Sequence, residues 1–231
     1  MASFPYFLDS RYRRRRQGAS IPGAAAFRSG SSVDYANRVN TIITAPAGIQ
    51  NGDGLVIIFE IGAAGAPPVP TPPAGFAVLA GFPLTATDGF GFTIDVYAWG
   101  KTAAGEAGNY TVTHLAANST AYMLAIEGGN TFSPNPSVNT GVGAAGTALG
   151  LTTVADNSLI ILWAGVWIAA DLVTPPGGAT PTFTTRYASA LSILFIETGV
   201  LSPPGLTGNK NFGTGNPGGE PWLSGLIAVR P

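Results

Sequence analysis

The stretch Phe90-Gly-Phe-Thr-Ile-Asp-Val-Tyr-Ala-Trp-Gly100 decides the fold class of this chain. Successive side chains of a β-strand lie on opposite faces, so a strand with one apolar face shows a period of two. From residue 92 onward the stretch has that period, with Phe92, Ile94, Val96 and Ala98 on one face and Thr93, Asp95, Tyr97 and Trp99 on the other. The stretch therefore predicts a β-strand.

Similar short segments recur from about residue 38 to the end, and Gly, Pro, Asn and Asp residues separate them. The Ala-rich pieces are interrupted by Gly and Pro too often for an amphipathic helix. The further predicted strands are 39–45, 54–61, 75–82, 109–115, 120–127, 148–154, 158–167, 182–187, 190–199 and 222–229. Many short strands between turns predict an all-β fold, which we expect to be a single antiparallel β-sandwich over residues 38–231, jelly-roll or Greek-key-like.

An N-terminal arm, residues 1–17, differs from the rest in charge. Its five arginines and Asp9 give residues 1–16 a net charge of +4, whereas the remaining six basic and eleven acidic residues give −5. Residues 18–37 are rich in Gly, Ala and Ser and predict a flexible connector. The aromatic and basic residues of the arm are the predicted partner-binding residues: Phe4, Tyr6, Phe7, Leu8, Arg11, Tyr12, Arg13, Arg14, Arg15 and Arg16.

Two kinds of partner fit this arm. A cluster of arginines can neutralise nucleic-acid phosphates. Aromatic residues and arginine are also enriched where proteins contact each other. The arm begins with aromatic residues, which a purely phosphate-binding arm does not need, and this favours anchoring to another protein.

The composition favours a subunit of an assembly. Hydrophobic residues make up 45% of the chain and charged residues only 10%, against about 25% charged in ordinary soluble domains. A weakly charged surface with exposed apolar area is typical of protein contacts, so we expect a homo-oligomer, with a trimer favoured. A compact monomer with a weakly charged surface is the alternative. No apolar stretch is long enough for a membrane-spanning helix, and we expect no membrane insertion.

Few residues suggest chemistry. The chain has no Cys, which excludes Cys-based metal sites, and we expect no metal or other cofactor. His114 is the only histidine and follows a predicted strand, where a polar rim position is expected. Asp95 and Glu127 lie in strand patterns and are expected to face solvent. Residues 141–146 match G-x-G-x-x-G but lack the strand–helix context of a dinucleotide site, which favours a flexible loop. The residues thus predict no catalytic site.

A weak internal repeat is also present. Asn51-Gly-Asp-Gly-Leu-Val-Ile-Ile-Phe is similar to Ala155-Asp-Asn-Ser-Leu-Ile-Ile-Leu-Trp, about a hundred residues later. In each copy an Asp-containing turn precedes a buried strand. The two stretches could be equivalent strands of two halves, or two buried strands that are alike by composition alone.

Several motifs occur in an order that resembles a known family. They are Pro46-Ala-Gly-Ile-Gln-Asn-Gly-Asp-Gly-Leu-Val-Ile-Ile, Pro73-Ala-Gly-Phe-Ala-Val-Leu, Val96-Tyr-Ala-Trp-Gly-Lys-Thr-Ala, Gly108-Asn-Tyr-Thr-Val-Thr, Ala121-Tyr-Met-Leu-Ala-Ile-Glu-Gly and Asn157-Ser-Leu-Ile-Ile. Over residues 38–231 the chain resembles a β-sandwich domain that recurs in tail, fibre and decoration-like proteins of tailed phages and prophages. Phe76 stands where that family more often has Trp, and Glu127 stands where it more often has Arg, which would alter charge pairing there.

The resemblance implies a virion structural or accessory protein with no shared reaction. A head fibre, decoration or tail subunit is therefore expected, bound to capsid or tail proteins through its arm and located in the virion. Two alternatives stay open. One is a jelly-roll capsid protein whose arm binds nucleic acid. The other is an adhesion module that binds a host-surface glycan through loop aromatics such as Trp167 and Trp222.

Overall fold

A computed structural model describes residues 23–133, 136–166, 181–189, 193–213 and 220–231 of the chain. These residues form antiparallel strands joined by turns, and none of them is helical. Accordingly, no helix that could cross a membrane is found among them. The predicted all-β, antiparallel, sandwich-like class is confirmed.

The strands fall into two groups along the chain. The first group is β1 (Ala26–Arg38), β2 (Thr41–Thr44), β3 (Gly54–Ala64), β4 (Ala77–Val78), β5 (Leu84–Thr87), β6 (Phe92–Thr102), β7 (Asn109–Val112) and β8 (Ala117–Glu127). The second group is β9 (Thr131–Phe132), β10 (Ser137–Val142), β11 (Ala145–Ala148), β12 (Ser158–Val166), β13 (Thr184–Ala188), β14 (Ile193–Leu201), β15 (Lys210–Gly213) and β16 (Pro221–Arg230).

The two groups build the same topology twice. In the first, a large sheet has the order β1-β8-β3-β6-β4 with β5 also on β6, and β2 pairs with β7 in a small sheet. In the second, the large sheet has the order β10-β16-β12-β14-β13 with β9 also on β16, and β11 pairs with β15. Each large sheet with its small sheet is one sandwich. The expected single sandwich is therefore replaced by two sheet pairs, which we call the first and second sandwiches.

The internal repeat falls on equivalent strands, since β3 and β12 both lie in the centre of their sheets. Matching the letters of the two stretches sets Leu55 against Leu159, but these side chains lie in different clusters. Val56 and Ile161, in contrast, lie in the same cluster. Side chains of a strand alternate between faces, so a shift of one residue exchanges the faces. The residue of β12 that corresponds in space to Val56 is therefore Ile161, one position later than the residue paired with Val56 by the sequence similarity.

The apolar side chains form a four-layer stack. The inner faces of the two large sheets share one core, to which Ile58 and Ile126 contribute from the first sandwich and Trp163 and Ile227 from the second. On the outer side, Phe59 and Trp99 pack with β2 and β7. The second sandwich has smaller outer clusters next to β11 and β15. The shared inner core joins the two sandwiches into one body.

The two sandwiches are related by an approximate two-fold axis along the strands. We call the end where β3 and β12 begin the base, and the end where they finish the tip. The backbone N–H of Ala25, just before β1, donates to the carbonyl of Asn157, just before β12, at 3.1 Å. Strand β1 packs across from β13, where the Tyr187 hydroxyl donates to Asp34, and β5 packs near β10. The base of one sandwich therefore lies next to the base of the other, and β3 and β12 run in the same direction.

Two expectations about loops need correction. The predicted connector, 18–37, contains most of β1, which pairs with β8 along almost its whole length. Strand β1 is an edge strand with half-buried, mainly polar residues, so it lacks the apolar pattern by which a strand is recognised. Residues 141–146, expected to be a flexible loop, form the end of β10, a turn and the start of β11. There Gly141 and Gly146 lie against the rings of Trp222 and Phe212, which leave no room for a Cβ atom.

Candidate functional site: a hydroxyl-lined cleft at the tip

The predicted partner-binding residues, 4 to 16, lie outside the described residues. Their attachment point is nevertheless defined, because the described chain begins at Gly23 and Ala25 is bonded at the base. Strand β1 then runs from Ala26, opposite Glu127, to Arg38, opposite Ala117 at the tip. The chain therefore enters the body at the base.

A cleft of about 560 Å³ opens at the tip of the first sandwich. Strands β5 and β6 form its floor, and the Pro-rich segment after β3 forms one wall. The backbone bond from Gly65 to Gly91, at 2.8 Å, ties this segment to the β5–β6 turn, and the Thr71–Thr113 bridge ties it to the end of β7. The lining residues are Gly65, Ala66, Pro67, Val69, Thr85, Thr87, Gly91, Thr93 and Asp95.

The floor of the cleft carries three hydroxyls and one carboxylate. Thr85 Oγ1 donates to Asp95 Oδ1 at 2.6 Å, and Thr87 Oγ1 lies 3.0 Å from Thr93 Oγ1. Asp95 was expected to face solvent, but it is only 8% exposed. Burial raises the pKa of Asp95 above its usual value, and the bond from Thr85 partly opposes that rise. Asp95 shares the cleft with Thr85 and with the segment after β3, which the alternation of β6 alone could not reveal.

The rim of the cleft is apolar and exposed. Val69 is 79% exposed and Phe90, in the β5–β6 turn, is 81% exposed. Leu115, two residues after Thr113 of the Thr71–Thr113 bridge, is also exposed. The tip of the first sandwich therefore combines a polar floor with apolar edges.

A second polar cluster, part of it half-buried, lies between the large sheets. Asp34 Oδ1 accepts hydrogen bonds from Thr120 Oγ1 at 2.9 Å, Tyr187 Oη at 2.7 Å and Ser189 Oγ at 2.8 Å. Nearby, Glu60 is almost fully buried, and its Oε2 has no hydrogen-bond partner. Burial, together with the negative charge of Asp34, raises the pKa of Glu60 to about 8. The cluster links β1 to β13.

His114 is also buried, although a rim position was expected. Its Nε2 lies 2.8 Å from Thr41 Oγ1, which lies 2.7 Å from Ser119 Oγ. Its Nδ1 lies 2.7 Å from the carbonyl of Leu115, and its ring packs on Phe59. A Ser–His pair acts as a nucleophile only when a substrate can reach the serine. Ser119 is 3% exposed, so this row of hydrogen bonds holds strands together.

Ion pairs at the base fasten the first sandwich. Arg28 contacts Asp53 at 2.7 Å and Glu127 at 3.1 Å. The Glu127 side chain is partly exposed, as expected, and its charge is paired with Arg28 of β1. In the same region Lys101 contacts Glu106 at 2.7 Å. These contacts join β1 to β8 or join strands to turns, and none of their residues lines the cleft.

The loop aromatics proposed for adhesion are not confirmed. Trp222 is 7% exposed and packs edge-on against Phe212 in an outer cluster of the second sandwich. It is a core residue, because the start of β16 is covered by β15. Trp167 lies outside the described residues. Among the residues that the structure describes, no group of three His, Asp or Glu side chains could hold a metal ion.

Comparison of the chain with protein-family models, with curated proteins and with solved structures gives no match.

Proposed function

We propose that this protein is a non-enzymatic structural or accessory subunit of a tailed-phage particle, held to other virion proteins by its N-terminal arm. The observation that carries the proposal is the separation of the two ends. The chain enters at the base, whereas exposed apolar residues and a cleft lie at the tip of the first sandwich. Strand β1, with 13 residues, spans most of that distance, roughly 40 Å at about 3.3 Å per residue.

The charges of the body support a protein partner for the arm. Four of the six basic residues outside the arm make internal contacts. Arg28 and Lys101 are in ion pairs. Arg186 lies over the ring of Phe27, and Lys210 is buried. Nucleic-acid binding normally uses a patch of free basic side chains, and the net charge of −5 after residue 16 disfavours it for the body.

The body itself suits a role that needs rigidity. Two sandwiches that share an inner core form a single block, and the described chain enters this block at one end. Exposed apolar residues such as Val39, Val69 and Leu115 offer surface for contacts with neighbouring subunits. A homo-oligomer, with a trimer favoured, belongs to the same proposal.

Deletion of residues 1–17 tests the proposal. The body should keep its β-rich circular dichroism and its melting temperature, because its described contacts begin at residue 24 or later, but incorporation into particles should be lost. Replacement of Arg13 to Arg16 by Ala should weaken incorporation in a salt-dependent way, since exposed charges are screened over about 8–10 Å at physiological salt. Replacement of Phe4, Tyr6 and Phe7 by Ser should weaken it with little salt dependence.

Two outcomes would contradict this proposal. If the truncated protein enters particles as well as the full chain does, the arm is not the anchor. If the arginine variants lose binding to DNA or RNA with a steep salt dependence while the aromatic variants behave as the parent, the partner is nucleic acid.

A further inference from the structure

We propose that the tip cleft of the first sandwich binds a saccharide that is neutral or carries an amino group. This inference rests on the proposed function, because it assigns a ligand class to the end of the molecule that lies farthest from the anchor. Four features of the cleft carry it: its hydrogen-bonding groups, its apolar rim, its charge and the lack of an acid at the equivalent strand position of the second sandwich.

The hydrogen-bonding groups of the floor suit a ligand with several hydroxyls. Thr85 uses its proton on Asp95 Oδ1, and no described residue donates to Asp95 Oδ2. Of the paired hydroxyls of Thr87 and Thr93, one donates to the other, so the second O–H has no acceptor among the side chains that the structure describes and can donate to a ligand. The floor therefore offers a strong acceptor and a spare donor a short distance apart. A sugar, whose neighbouring hydroxyls each donate and accept, satisfies both.

The rim supplies the apolar contact that sugar rings also need. Sugar rings carry C–H groups on their faces, and such faces pack on aromatic or aliphatic side chains. Val69 lines the cleft and Phe90 is next to the lining residue Gly91. Both are about four-fifths exposed, so both are free to contact a ligand. A small apolar rim around a few polar groups is the usual composition of a ligand site.

The charge of the cleft limits the kind of sugar. Asp95 is the only charged residue among the described residues that line it. A carboxylate accepts hydrogen bonds from hydroxyl or ammonium groups but repels the carboxylate of an acidic sugar, and none of the described lining residues is basic and able to offset that repulsion. The ligand is therefore neutral or basic.

The second sandwich lacks the carboxylate at the equivalent position. Asp95 pairs with Ile61 of β3, and the equivalent residue of β12, Val166, pairs with Ile193. The acidic residue of the first sandwich thus corresponds to an aliphatic residue in the second. A buried acid costs folding free energy, and the fold evidently forms without one at this position. The topology therefore does not require an acid at this position, which leaves Asp95 available for binding.

Isothermal titration calorimetry with the full chain tests the inference. The probes are glucose and galactose oligosaccharides, chitosan oligosaccharides and galacturonate oligosaccharides. We expect at least one neutral or amino class to bind about tenfold or more tightly than galacturonate. Asp95→Asn and Thr93→Val should each weaken that binding about tenfold, as loss of a hydrogen bond to a charged or closely placed polar group typically does. Val69→Ser should weaken it less.

The second sandwich offers a matched control. Thr185 Oγ1 donates to buried Glu197 at 3.0 Å, the same kind of cross-strand pair away from the cleft. Thr185→Val should therefore leave saccharide affinity unchanged. If Asp95→Asn fails to fold, as judged by its melting temperature, Thr93→Val and Val69→Ser carry the test.

Three outcomes would overturn the inference: no neutral or amino saccharide binds, galacturonate binds best, or the cleft variants bind as the parent does. Failure here is distinguishable from failure of the proposed function. Deletion of residues 1–17 should leave saccharide affinity intact, whereas Asp95→Asn should leave incorporation into particles intact.

Discussion

The first and second sandwiches have the same strand order but differ in where they place polar residues. The first buries a hydrogen-bonded histidine at its small sheet and holds a carboxylate in a cleft at its tip. At matching positions of the two large sheets, Asp95 corresponds to Ile193 and Trp99 to Glu197. The alternation between inner and outer faces is common to both sandwiches, and most residue identities are not. The topology therefore requires the alternation between faces, and it leaves the identity of individual polar residues open to other roles, such as ligand binding.

The inner core gives the largest expected effect and tests whether the two sandwiches are one cooperative unit. Trp163 is fully buried there, and its ring centroid lies 5.5 Å from that of Phe82 of the first sandwich. Trp163→Ala should lower the free energy of unfolding by about 3–5 kcal/mol. Because the core is shared, hydrogen exchange should accelerate equally in β3 and β12. Trp222→Ala, in the outer cluster, is the comparison variant. If Trp163→Ala exposes β12 while β3 stays protected, the sandwiches unfold separately.

The pH dependence of stability sharpens the contrast between buried acids. The pKa of Glu60 is raised from 4.5 to about 8, so folding takes up a proton between these two pH values. Its contribution to stability is complete below about pH 4.5 and is lost as pH rises towards 8. Glu60→Gln should flatten this decline, by up to about 1.4 kcal/mol per pH unit. Urea unfolding at a series of pH values measures it.

Glu197 of the second sandwich is the matched comparison for Glu60. Burial raises the pKa of Glu197 as well, but a hydrogen bond from Thr185 opposes the rise. Glu197→Gln should therefore flatten the decline less than Glu60→Gln does. An equal or larger effect at Glu197 would mean that the inner layer is not the more costly place for a carboxylate.

The smallest expected effect concerns the two Thr–acid pairs. Thr85→Val removes the bond to Asp95, and Thr185→Val removes the bond to Glu197. Each should lower the free energy of unfolding by about 1 kcal/mol. Thermal unfolding checks both variants. A much larger loss for Thr85→Val than for Thr185→Val would indicate that the cleft is mainly a structural feature.

The sequence predicted strands best where burial imposed a pattern. The alternation of residues 92–100 and the apolar runs of β3, β8 and β12 were recognised because both faces or one face of each strand are buried. Strand β1 was missed, because an edge strand with residues such as Ser29 and Ser31 can use side-chain bonds to neighbouring carbonyls instead of apolar burial. The division into two sandwiches was visible only as a weak repeat, since few identities survive between the halves.

The cleft was less predictable than the fold. Asp95 was noticed as an unusual acid in a strand, but its surroundings depend on the segment after β3 and on the β5–β6 turn, which meet only in three dimensions. His114 and Trp222 were placed at the surface because their positions near strand ends gave no sign of the layers that cover them. Local sequence does not report contacts between distant segments.

The meeting of Glu60 and Gly165 has a consequence for how such a molecule can be assembled. These two residues occupy equivalent positions on β3 and β12, and they face each other across the axis, where a Cβ atom at Gly165 would collide with the Glu60 carboxylate. Two identical chains would place the same residue on both sides of that axis. A pair of glutamates would overlap and repel, and a pair of glycines would leave a void. Covalent fusion of the halves permits one large and one absent side chain at a single contact, which a symmetric homodimer of either half could not reproduce.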